Sequence, residues 1–295
     1  MNTSDKVSSV SRNRRHFALA FVAPTFIVLL IMTVYPLLFT ILYSFTNFQL
    51  LKKKVSFIGL KNYASLLTND YFLQSIFVTV KFSVFSVLFE VLLGFVMALF
   101  VQSLTKKTAR LMRISLLIPY LLPSVTVALS FRMMLSPNYG IINKALEGLG
   151  ITAPNWFSDM RTALPMLILI DIWQNAPFVF LLLYAAMQAI PKSQYEAAKI
   201  DGASYPALVR YVTIPGILPV LALSALLRTI DSFRIFDKVN LLTGGGPANS
   251  TTTITQYLYT YGIKNLKFGF GSAGAIIMTI LVLLLSVAYI KKAVE

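Results

Sequence analysis

The sequence predicts an all-α polytopic membrane protein with six membrane-spanning helices, and three observations carry that expectation. Of its 295 residues 57% are hydrophobic and only 13% charged, with a mean hydropathy of +0.73. A soluble domain carries roughly 25% charged residues, so this chain has about half the usual polar cover. Six predominantly apolar runs each reach the about 20 residues that a helix needs to cross a bilayer. No stretch alternates apolar and polar residues long enough for a membrane barrel. Within hydrocarbon every backbone amide must be satisfied inside its own segment, so each run reads as a helix.

The first run, about 17–45, follows Arg12, Arg14 and Arg15. Its apolar core exceeds the ~7–15 residues of a signal-peptide core, so it reads as an anchor. The second spans about 76–101. The third, about 114–135, contains Pro119 and Pro123. The fourth, 163–190, is interrupted by the polar stretch Asp171-Ile172-Trp173-Gln174-Asn175. The fifth, about 217–239, carries Arg228, Asp231, Arg234 and Asp237, and the sixth covers about 268–290.

The net charge of +15 would suggest nucleic acid on a soluble chain. Here the bases are scattered between apolar runs, which reads as topology signals and contacts with anionic lipid. Lys and Arg are denser before the first run, between the second and third, between the fourth and fifth and after the sixth; Lys52, Lys53 and Lys54 are the main exceptions. Both termini are therefore expected in the cytoplasm, with residues 1–16 as an N-terminal tail, 17–290 as the membrane domain and 291–295 as a C-terminal tail. The outer connections, about 46–75, 136–162 and 240–267, are each too short for an independent domain. With no cysteine and one histidine, His16, the chain offers neither a thiol nucleophile, a cysteine metal site nor much histidine acid–base chemistry.

The cytoplasmic segment 191–216 is the most informative. Pro191 opens a helix in which Ala197 and Ala198 are small. Gly202 supplies a positive φ to end it, and Asp201 or Ser204 caps a second helix of about 205–212 that stops before Ile214-Pro215. The small residues permit close approach by another protein, and a hairpin lying on lipid headgroups is an equal reading.

Glu196-Ala197-Ala198, Asp201-Gly202-Ala203, Ile214-Pro215 and Pro219 together resemble the EAA loop of binding-protein-dependent ABC importer permeases. Phe57-Ile58-Gly59-Leu60-Lys61-Asn62-Tyr63, Ala189-Ile190-Pro191 and Phe236-Asp237 are similar to the sugar-permease branch, of the maltose and glycerol-phosphate permease kind. So is the run from Leu242 through Gly244-Gly245-Gly246-Pro247 to Thr251. Leu208-Val209 depart from the pattern, standing where the family usually has an aromatic residue. The resemblance covers essentially the whole chain in order. It implies the type I importer permease fold, a location in the bacterial cytoplasmic (inner) membrane and a non-catalytic role in carbohydrate import. It further implies a second homologous permease, two copies of an ABC ATPase that bind the ATP and magnesium, and an extracytoplasmic solute-binding protein. By the same resemblance Glu196, Ala197, Ala198, Asp201, Gly202 and Ala203 dock the ATPase, and this chain needs no cofactor of its own.

Charges inside spans cost about 2.5–3.5 kcal/mol each on insertion scales, so they point to function or pairing. Arg228 and Asp231, and Arg234 and Asp237, stand three apart on one helical face; mutual neutralisation is the expectation for the second pair. Arg228 with Ser232, Asp171 with Asn175, and Tyr120 with Ser124 repeat an i, i+4 spacing and are candidates to line a translocation path. Trp173 is a candidate to stack on a sugar ring. Glu90 and Lys81 have no evident partner. The Gly244–Pro247 stretch lacks the glycine-lysine-serine/threonine ending of a phosphate loop and reads as a tight turn followed by a polar strand, 249–253. The alternative function is a secondary transporter driven by an ion gradient, against which stands the lack of a visible inverted repeat. No His-Glu-x-x-His or serine–lysine pair suggests an intramembrane enzyme.

Overall fold

The computed structural model describes residues 3–51 and 54–294. Lys52 and Lys53 lie outside the described residues, as do the side chains of Lys6, Arg12, Arg14, Arg15, His16 and Lys292. The chain is a helical bundle. Five helices are long and apolar enough to cross a membrane, and a bent pair makes six if counted as one span.

Helix α1 (Thr3–Ser44) runs through Pro24 and Pro36, so residues 3–16, read as a tail, continue the first span as helix. None of its apolar window is buried. A short α2 (Lys61–Leu67) leads into α3 (Asp70–Ser103), whose Asn69 cap accepts the Phe72 amide. The motif around Gly59 earns its residues here. Gly59 takes φ +59°, and buried Asn62 donates to the carbonyls of Ser44 and Thr46, both at 2.9 Å. Tyr63 donates to the Ser44 hydroxyl at 2.7 Å. The two Asn62 bonds satisfy carbonyls that the end of α1 leaves open.

The third span is a correction to the expectation of one continuous helix. It consists of α4 (Lys106–Leu121) and α5 (Ser124–Met134), bent by 89° at Leu122-Pro123. Pro123 lacks an amide hydrogen and forces its predecessor out of the helical region, with Leu122 at φ −78°, ψ 136°. Gln174 Nε2 donates to the orphaned Leu122 carbonyl at 2.8 Å, so a polar side chain of the next span holds the break.

After α6 (Ile141–Gly148), α7 (Ala163–Ala189) crosses through its polar stretch without a break. Gly94 of α3 lies directly against α7. A Cβ there would stand 2.8 Å from both the Phe180 amide nitrogen and Val179 Cβ.

Helix α8 (Lys192–Ile200) is followed by α9 (Tyr205–Leu208). The second loop helix does not stop before Ile214-Pro215. A π-helical turn, Val209–Thr213, carries it directly into α10 (Ile214–Phe233), giving 29 continuous residues. The wider turn makes room for the ring of Pro215 and absorbs its missing amide hydrogen. Helix α10 ends earlier than expected, and α11 (Asp237–Leu242) follows a bend at Ile235.

The polar strand expected over 249–253 is absent; the segment is a folded turn leading to α12 (Ile254–Leu258). Its hydroxyls make internal bonds: Thr251 Oγ1 donates to the Gly246 carbonyl and Thr252 Oγ1 to that of Gly245. A π-turn, Tyr259–Lys264, precedes α13 (Phe268–Val294).

The core is layered along the bundle axis. One apolar cluster includes Val78, Phe82, Leu167, Ile170 and Val239. Another, at the end that carries α8, includes Ala98, Val179, Leu183, Met187 and Ile217. A third caps the opposite end with Leu66, Phe72, Ile254 and Tyr257. Between the first two lies a polar layer contributed by α3, α7 and α10.

Candidate functional site

That layer is a buried charge network. Four ion pairs are formed among the described residues, and every one involves Arg228 or Asp171. Arg228 Nε donates to Glu90 Oε2 at 2.7 Å and its Nη2 to Oε1 at 3.2 Å, a two-pronged grip on one carboxylate. The same guanidinium reaches Asp171 at 3.5 Å and Asp231 at 3.3 Å. Lys238 Nζ meets Asp171 Oδ1 at 2.5 Å, and Asn175 Nδ2 donates to that oxygen at 2.9 Å. Glu90, Asp171, Arg228 and Lys238 are all buried. Four elements, α3, α7, α10 and α11, are thereby tied at one depth.

The network forms one wall of a cavity of about 260 Å³. Its lining combines Tyr120, Ser124, Asp171, Asn175, Arg228 and Ser232 with the segment Arg234 to Lys238 and Asp231. Six of the seven residues singled out for a translocation path thus stand around one space. Trp173 does not. It lies on a different side of α7, packed edge-on against Phe131 at 5.3 Å. Tyr120 stacks on Phe178 at 5.4 Å. Ser232 Oγ donates to the Thr229 carbonyl and bonds Ser83 Oγ, which anchors α10 to α3.

Two expectations about charge are corrected. Arg234 and Asp237 form no ion pair among the described residues, because α10 ends at Phe233 and the bend at Ile235 separates them. Glu90, which had no evident partner, holds Arg228 across 138 positions of sequence. The spacing of two residues within one helix says nothing about such a contact. Its only sequence signal is the cost of a lone carboxylate in a span, which demands a cation from somewhere. Lys238, near the end of the fifth run, is likewise buried against Asp171. Lys81 stays exposed on α3. Among the described residues no three of His, Cys, Asp or Glu cluster as a metal site would require.

The six ATPase-docking candidates occupy the opposite kind of environment. Glu196, Ala197, Asp201 and Gly202 are exposed, while Ala198 and Ala203 are half-buried. Gly202 stands at φ +78°, its amide bonded to the Lys199 carbonyl and that of Ala203 to the Ala198 carbonyl. This paired closure with glycine in the left-handed position ends α8 and turns the chain toward α9. Tyr195 and Thr213 share a hydrogen bond at 3.0 Å, which pins α8 to the π-turn.

A bundle of membrane-crossing helices around a polar cavity, with an exposed helical hairpin at one end, is the architecture of a transport-pathway subunit. Residues 90–292 match the family described as "Binding-protein-dependent transport system inner membrane component", and the chain belongs to that family. It is 37% identical to the trehalose/maltose transport system permease protein MalF of Thermococcus litoralis, with 92% of this chain and 91% of that protein covered. It is 32% identical to the sulfoquinovosyl glycerol transport system permease protein SmoG of Agrobacterium fabrum, with 94% and 90% covered. A chain of a bacterial ABC transporter that imports the acidic polysaccharide alginate shares the fold, with a TM-score of 0.85 at 24% identity, covering 95% and 96% of the two chains. The protein is accordingly a multi-pass inner-membrane component of a binding-protein-dependent transport system.

Proposed function

We propose that this chain is one of two permease subunits of an ATP-driven importer for a carbohydrate, which it passes through the cavity beside Arg228. The observation that carries the reading is that cavity: polar, midway along the bundle and lined by serine, asparagine, tyrosine and carboxylate groups. Such groups exchange hydrogen bonds with sugar hydroxyls in place of water. The named substrates of its relatives, trehalose or maltose and a glycosylated glycerol, support the same class.

The remaining partners follow from the family role. A second, similar permease completes the path, and an extracytoplasmic binding protein delivers the solute. Two ATPase subunits hold ATP and magnesium and dock on the α8–α9 hairpin through Glu196, Ala197, Ala198, Asp201, Gly202 and Ala203. Both termini lie in the cytoplasm with that hairpin. The test is reconstitution of the chain with its candidate permease, ATPase and binding protein in proteoliposomes. Sugar-stimulated ATP hydrolysis and uptake are expected from the full set only. Uptake by this chain alone on a proton or sodium gradient would establish a secondary transporter instead.

A further inference from the structure

The first turns of α4 carry four bases, Lys106, Lys107, Arg110 and Arg113, and no acidic residue occurs anywhere in that helix. None of the four forms an ion pair among the described residues. Lys106, Arg110 and Arg113 follow the i, i+4, i+7 spacing that places them on one helical face, with Lys107 beside them. With Ala109 and Tyr184 they line a cavity of about 490 Å³. Arg113 is fixed in place, its Nε donating to the Ala109 carbonyl at 3.3 Å and its guanidinium lying 5.3 Å from the centre of the Tyr184 ring. Tyr184 stands five residues before the end of α7, roughly 8 Å inside it, at the membrane end that carries α8.

A second feature of α4 continues from the first. Leu111, Ile114 and Ile118 are 61%, 61% and 54% exposed. They extend the stripe that begins at Lys107 at positions i+4, i+7 and i+11. The helix thus presents cations at its end and, on the adjoining stripe that continues from Lys107, an open apolar track leading toward the bilayer interior. We propose that this surface binds one anionic phospholipid, the phosphodiester held by Lys106, Lys107, Arg110 and Arg113 and an acyl chain laid along Leu111, Ile114 and Ile118. A free phosphate would engage the same cations but leave the apolar track empty. An anionic lipid occupies both, and basic residues at a membrane surface attract such headgroups electrostatically.

The experiment reads binding, so it is independent of which solute the importer carries. The full chain is purified in neutral detergent, titrated with phosphatidylglycerol and weighed intact by native mass spectrometry. Retention of one phosphatidylglycerol per chain is expected. It should be lost in the fourfold variant Lys106→Gln, Lys107→Gln, Arg110→Gln, Arg113→Gln and kept in Lys291→Gln. The variant Leu111→Ser, Ile118→Ser should weaken retention several-fold with all bases intact. Full retention in the fourfold variant overturns the proposal. So does displacement of the lipid by inorganic phosphate together with unchanged retention in the serine variant, which would mark a phosphate site. Should the fourfold variant fail to insert, the two double variants at 106/107 and 110/113 are each expected to weaken retention, and the proposal fails if neither does.

Discussion

Arg228 is held by three carboxylates at once, and that makes its removal costlier than its own loss of contacts. Glu90 is fully buried and has no other cation within reach among the described ion pairs. Arg228→Met would strand that carboxylate, and breaking a buried pair from one side typically costs about 3–5 kcal/mol. Removing both partners leaves an apolar contact of similar volume and is often close to neutral. Thermal unfolding in detergent should therefore show a marked loss for Arg228→Met and recovery of most of it when Glu90→Leu is added. A double variant as unstable as the single one would refute the pairing. Asp171 keeps Lys238 throughout, so it does not confound the comparison. At this scale the sequence was only partly legible. The cost of intramembrane charge announced that Glu90, Asp171 and Arg228 needed partners, and the three-residue spacing found Asp231. The long-range partners depend on how α3, α7 and α10 pack, which no local pattern encodes. Trp173 went astray for the same reason: its depth in the span was readable, its side of α7 was not.

Elements show a sharper division. Helix existence followed from hydrophobic length, and the fourth and sixth runs match the observed helices to within a few residues at both ends. Two of the failures sit at prolines. Pro123 bends the third span by 89°, because its predecessor must leave the helical region and Gln174 is there to take the freed carbonyl. Pro215, expected to end a helix, is absorbed by a π-turn and the helix continues. A proline announces a missing hydrogen bond, and only the neighbours decide whether the chain turns or widens. Two outcomes belong here. Gly94→Leu would drive a side chain into the Phe180 backbone where α3 packs against α7. Because backbone cannot swing aside as a side chain can, we expect a large loss of folded protein, read as the monodisperse fraction in size-exclusion chromatography. Gly202 has open space around it, so its substitution strains only the backbone at φ +78°, by roughly 1–2 kcal/mol. Gly202→Val, and Glu196→Lys by charge reversal, should leave the chain folded and delivery by the binding protein intact while abolishing sugar-stimulated ATP hydrolysis. Wild-type stimulation in both would mean that the hairpin rests on lipid rather than on an ATPase.

For the whole molecule, the proposed importer requires the cavity to face outward in one state of its ATPase pair and inward in the other. ATP drives such a change only by binding one state better than the other. On that proposal, the fold offers a route for the bias. Tyr205 to Phe233 is one uninterrupted helix, so a push received at the α8–α9 hairpin travels roughly 40 Å to Ser232 without a hinge. Tyr195 bonds Thr213, coupling α8 to the base of this lever. At the far end Ser232 lines the cavity and bonds Ser83, while Arg228 grips Glu90, so rotation of α10 must either carry α3 along or break both contacts. The chain contains no cysteine, which makes Ser232→Cys a clean reporter. Ser232 is 1% exposed in this structure, and labelling there therefore reads a change of state rather than surface accessibility. In the assembled importer we expect the thiol to react with a water-soluble reagent from outside when ATP is trapped, and from the cytoplasmic side in the resting complex. The Ser83 contact is lost in this variant, so the same shift should appear in a Ser83→Ala background. Equal labelling from both sides in both nucleotide states would show that α10 does not transmit the movement of the hairpin to the cavity.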